Sequence, residues 1–129
     1  MSLARVATRW RQGLSASIVW VEAHLSHGLP TIALVGVSAT AVKDAKERVR
    51  SAIISSGYRW PHAQLTISFS SAGVHQGTAS LNLPIAVAIL IASRQIPETL
   101  AGKVEFYGEL SLDGRILATS GLLAVAASQ

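Results

Sequence analysis

The residues with the most chemical potential stand in "GVHQGTASLNLPIAVAIL", residues 73–90. A run of small residues leads into an apolar segment, with Asn82 and Pro84 at the junction. Three readings compete there: a phosphate cradle, a serine nucleophile at a helix mouth, or a plain loop that opens a buried helix. A Walker A loop needs GxxxxGK[ST], because its lysine reaches the terminal phosphates. Gly73 and Gly77 are spaced G-x-x-x-G, and the lysines nearest in sequence are Lys46 and Lys103. That spacing speaks against nucleotide binding by this loop. Ser80 precedes a helix whose first amides can stabilise an oxyanion. A serine is inert without a base, and the bases on offer are His75, Lys43, Lys46 and Lys103. Helix capping by Ser80 or Thr78 accounts for these hydroxyls without any reaction.

The other candidates are weaker. His24 and His27 form H-x-x-H at a strand–turn boundary, where the two rings diverge and no acidic third ligand stands near. Asp113 is accounted for by a tight turn with Gly114, and Glu109 by strand or cap contacts, so the two do not make an acid–base pair. Lys43, Lys46, Arg48 and Arg50 share one helix with Asp44 and Glu47. Solvated helix faces usually look like this; DNA or subunit contact by these four is the minority reading. The expectation is therefore no catalytic, cofactor-binding or metal-binding residue in the chain.

The elements that would position these groups follow from periodicity. Residues 4–9 and 15–25 read as strands, and 31–36 as a third. The short gaps between them suggest a meander. Residues 38–56 switch to helical spacing through Val42, Ala45, Val49 and Ala52/Ile53, with Ser38 as a candidate N-cap and Gly57 as the C-cap glycine. Asp44 and Arg48 add an i,i+4 pair. "QLTISFS" (64–70) alternates as a half-buried strand. A second helix, 82–94, is apolar on nearly every face and must be covered on most sides. Residues 103–110 read as a strand, Asp113-Gly114 as a hairpin turn, and "SGLLAVAASQ" as a third helix still running at Gln129. That last feature is expected of a domain whose final elements lie further on.

Composition bounds the class. The 129 residues are 50% hydrophobic and contain no cysteine, which leaves no disulfide framework or thiolate metal site. The longest clean apolar run, Ile85–Ala92, is far short of the roughly 20 residues of a membrane span. No secretory signal is legible, so a cytoplasmic protein without membrane contact is expected. Eleven basic residues against seven acidic give a net charge of +4, compatible with nucleic acid without demonstrating it.

Several phrases resemble a known family. "VEAHLSHGLPTIALVGVSATAVKDAKERVRSAIISSGY" (21–58), "LPIAVAILIAS" and "YGELSLDGRIL" followed by "SGLLAVA" are similar, in order, to the opening domain of the magnesium-chelatase-like AAA+ ATPases of the ComM or YifB type. The later phrases are shared with the protease domain of Lon and the C-terminal domain of the RadA recombination protein. The resemblance implies an α/β fold, an α+β two-layer sandwich also seen in a ribosomal-protein domain, with a mixed sheet and helices on one face. It implies residues 1–129 as one Lon-like N-terminal domain, with a Walker A motif and AAA+ module downstream. The parent would be a hexameric, ATP- and Mg2+-dependent branch-migration motor on DNA, self-associating through that hexamer.

The same resemblance tests the chemistry. Lon peptidases use a Ser–Lys dyad. Aligned on "GELSLDGRILATSGLL", the lysine position falls on Leu123; counted back from the second helix, the serine position falls on Ala79, with Ser80 one residue off. A leucine takes no proton, so the domain is expected to be non-catalytic, and a hydrolase using Ser80 is the remote alternative. Relatives usually carry a loop resembling A-D-L-P-K-E-G-G-R-F-D-L-P-I-A. Here Gln76, Ser80 and Asn82 stand at its lysine, arginine and aspartate positions. Asn82 is left as an expected helix cap. If those charges serve DNA or neighbouring subunits in relatives, a pure protein–protein assembly role is the alternative for this chain.

Overall fold

A computed structural model describes residues 2–12, 15–35, 39–70, 81–97, 109–110 and 116–117. Strands β1 (Ser2–Gln12) and β2 (Ser15–Ser26) pair antiparallel from Ser2↔Leu25 to Gln12↔Ser15. Both run longer than the alternation alone indicated. β3 (Thr31–Leu34) is followed by helix α1 (Ala39–Ser55) and β4 (Gln64–Phe69). Helix α2 (Asn82–Ala92) comes next, then two short paired strands, β5 (Glu109–Leu110) and β6 (Ile116–Leu117). The expected hairpin is present as that pairing. Its turn at Asp113-Gly114, the expected cap Ser38 and the expected third helix lie outside the described residues.

The meander is not what forms. The sheet order is β1-β2-β4-β3, with β4 antiparallel to β2 and parallel to β3. Parallel neighbours need a crossover, and α1 supplies it in a strand–helix–strand unit. The link at residues 27–30 must therefore step past one strand position, about 10 Å across two strand spacings. A few extended residues span that distance.

Two layers result. Ala4, Val6 and Thr8 of β1, Val19, Val21 and Ala23 of β2, and Leu65 and Ile67 of β4 alternate inward and are buried. They meet both helices in one core. α2 packs on β1 and β2; α1 lies beside α2 and reaches β3. The helices thus cover one face of a mixed sheet.

α1 buries Ala45, Val49, Ala52 and Ile53 in a single stripe. It ends at Gly57, whose φ is +90°: the Gly57 amide donates to Ile54 O at 3.1 Å and the Tyr58 amide to Ile53 O at 3.1 Å. This is the left-handed cap that glycine favours. α2 is buried on almost every side, Pro84 through Ala92 included, as an all-apolar helix requires. Among the described residues no helix is long and apolar enough to cross a membrane.

Candidate functional site

Ala79, Ser80, Thr78, His75, Gln76, Lys103 and Leu123 all lie outside the described residues. What the structure does show is the junction they lead into. Leu81 occupies the cap position of α2 with no side-chain cap bond, and Asn82 is the first helical residue. The expectation that Asn82 caps the helix is therefore corrected. A capping oxygen sits one residue before the helix and accepts from the second or third amide. Asn82 is already inside, and the third helical residue is Pro84, which has no amide hydrogen to give. Instead Asn82 is 0% exposed, with Nδ2 and Oδ1 both unpartnered.

The basic helix face is placed as its spacing required. Lys43, Lys46 and Arg50 recur at i, i+3 and i+7 and are exposed, Lys43 and Arg50 turned away from the buried stripe and Lys46 on its flank. Arg48 stands apart from that row. Its Nε lies 3.2 Å from Asp44 Oδ1, the anticipated i,i+4 pair, and both side chains are about half exposed. Such a pair adds only a few tenths of a kcal/mol, but it offsets one of the four charges. Glu47 is exposed one helical turn from Lys43 and Arg50.

The sheet face opposite the two helices holds a cluster that the residue types alone did not single out. The Arg5 guanidinium lies 4.8 Å from the Trp20 ring centroid, and its Nε is 3.4 Å from Glu22 Oε2. Hairpin register sets this up, since Arg5 pairs with Glu22 and Trp20 with Ala7. Period-two alternation plus the register would have revealed it. His24 is exposed on the same strand face, while His27 is exposed in the following turn. The two do not form a ligand pair, and among the described residues no three His, Asp or Glu side chains gather as a metal site.

Comparison with known proteins adds family information to this geometry. A family model described as subunit ChlI of Mg-chelatase matches residues 21–129. The chain is 42% identical over 126 residues to the uncharacterized protein YifB of Salmonella typhimurium, covering 98% of the chain and 25% of that protein. It is 41% identical over 126 residues to YifB of Escherichia coli strain K12, with the same coverage of 98% and 25%. It is 37% identical over 130 residues to competence protein ComM of Haemophilus influenzae, covering 100% of the chain and 26% of that relative. The chain spans about a quarter of the length of these curated relatives.

Proposed function

The chain belongs to the family of the Mg-chelatase subunit ChlI, and from that premise we propose that it is the non-catalytic, Lon-like N-terminal domain of a ComM/YifB-type AAA+ ATPase. Its task is assembly or DNA engagement for a hexameric, ATP-driven branch-migration motor in the cytoplasm. ATP and Mg2+ act elsewhere in that parent. The observation that carries the reading is coverage: the whole chain matches about a quarter of a relative named for competence. Two further features support it. The exposed row of Lys43, Lys46 and Arg50 offers cations to phosphate or to a neighbouring subunit. Leu123 at the Lon lysine position and Ala79 at the serine position leave no dyad.

A second reading, a domain for protein–protein assembly alone, is favoured by one observation. The loop that is charged in the resembled family carries Gln76, Ser80 and Asn82 here. Deleting residues 1–129 from the encoded protein separates the two. On the first reading, DNA-stimulated ATP hydrolysis and migration of a four-way junction fall. On the second, the hexamer mass is lost at low protein concentration, and activity returns once a higher concentration restores the hexamer. An intact protein that hydrolyses no ATP would overturn both, and covalent labelling of Ser80 by a serine-reactive probe would favour a hydrolase.

A further inference from the structure

At the C-terminal end of α2, an open groove of about 700 Å³ runs between the helix end, the turn after β2 and the segment before β4. Arg59, Trp60, His62, His27, Arg94 and Gln95 line it, and among the described residues no acidic side chain does. A second groove adjoins it across Arg94 and Gln95. Among the described residues, none of these two arginines and two histidines has an acidic partner.

A helix C-terminus ordinarily repels anions, because its last carbonyls face outward. Here they are used up. Ser93 donates to Ile89 O through its amide at 2.9 Å and its hydroxyl at 2.8 Å. The Gln95 amide donates to Leu90 O at 2.9 Å and the Arg94 amide to Ile91 O at 3.0 Å. The Ser2 hydroxyl donates to Ala92 O. The negative end of the helix is thus covered, and the cations around it set the local field.

The walls are built rather than incidental. Gln95 Oε1 accepts from the Arg59 amide at 2.7 Å, and its Nε2 donates to Arg59 O at 2.7 Å. This clamp fixes the backbone that carries Arg59 and Trp60 against the helix end. Trp60 packs partly on the core while also lining the groove. Arg94 holds φ +62°, the left-handed position that a helix end normally gives to glycine. A non-glycine residue pays about 1 kcal/mol or more to sit there. Such outliers concentrate at functional sites, and this one belongs to a residue that lines the groove.

We propose that this groove binds single-stranded nucleic acid, with Arg59 and Arg94 on backbone phosphates and Trp60 against a base. Cations in a concavity beside an aromatic ring are the combination that single strands use; a duplex is read by an element that enters its grooves. The assignment rests on the DNA-engagement arm of the proposed function and gives it a location other than α1.

The test is fluorescence anisotropy on the encoded protein with a labelled oligothymidylate and a duplex of equal length, across a salt series. The single strand binds more tightly. Arg59→Glu and Arg94→Gly each lower affinity roughly threefold or more and flatten the log–log salt slope by about 0.7, one phosphate contact. Arg94→Gly relieves the left-handed strain, so its melting temperature stays at or above that of the parent, and lost affinity cannot be unfolding. Trp60→Leu, which keeps an apolar contact with the core, lowers affinity about tenfold without changing the slope. The proposal is overturned by unchanged binding in both arginine variants, by equal competition from polyglutamate, or by no binding at low salt. Loss of binding only in Lys43→Glu and Arg50→Glu would also overturn it, while leaving the functional reading intact. A whole protein without ATP hydrolysis would instead remove the functional reading.

Discussion

Thr8 and Asn82 are each fully buried, and neither side chain finds a hydrogen-bond partner among the described residues. An unsatisfied buried polar group costs about 1–3 kcal/mol. Thr8→Val keeps the shape and removes the hydroxyl, so it is expected to raise stability by about 1 kcal/mol. A urea midpoint shifted upward at unchanged m-value is the check. Asn82 has a second meaning. The resembled loop carries lysine, arginine and aspartate at positions where this chain has Gln76, Ser80 and Asn82. With the basic partners gone, a carboxylate at this buried site would have none, so the acid and the bases are absent together. Asn82→Asp is expected to cost about 3–5 kcal/mol at neutral pH, the usual penalty for an unpaired buried charge. A variant that melts with the parent would show that the site admits water or a counter-charge.

At the scale of elements, the two helices end in the same way with different residues. Gly57 and Arg94 both occupy the left-handed position after a helix. Around Gly57 nothing lies within 4 Å of where a Cβ would be, so Gly57→Ala costs conformational energy alone, about 1 kcal/mol. Arg94→Gly should move stability the other way by a similar or smaller amount. Opposite signs in paired thermal melts test the shared geometry. Gly57 was legible as a cap because glycine advertises the role; Arg94 was not, because arginine does not. The helices themselves were legible from their periods, α1 through Val49 and its neighbours, α2 through an unbroken apolar run. The short link at residues 27–30 points to a meander, wrongly, because such a link suits adjacent and next-but-one strands alike. The needed signal was nevertheless present: a strand, the helix at 38–56 and another strand is already a crossover unit. The Gln95 clamp gave no local sign, since it joins residues 36 apart.

For the whole molecule, α2 is the beam on which sheet and α1 both rest, and Ile89 lies fully buried at its middle. Ile89→Asp places a charge there with no partner. The expected loss of about 3–5 kcal/mol or more is a large part of the 5–15 kcal/mol that holds a domain together. Circular dichroism should show no cooperative melt; a parental transition would contradict the burial of this helix. The position of β4 carries a consequence for time rather than for stability. It is made after β1, β2 and β3, yet it lies between β2 and β3. As the chain leaves the ribosome, the first hairpin can zip at once, whereas β3 must wait for a neighbour not yet synthesised. The sheet then closes by insertion into a gap held open by α1, not by growth at an edge. Such non-local pairing is the slow kind, and it makes arrival of the fourth strand the event that commits the chain to its fold.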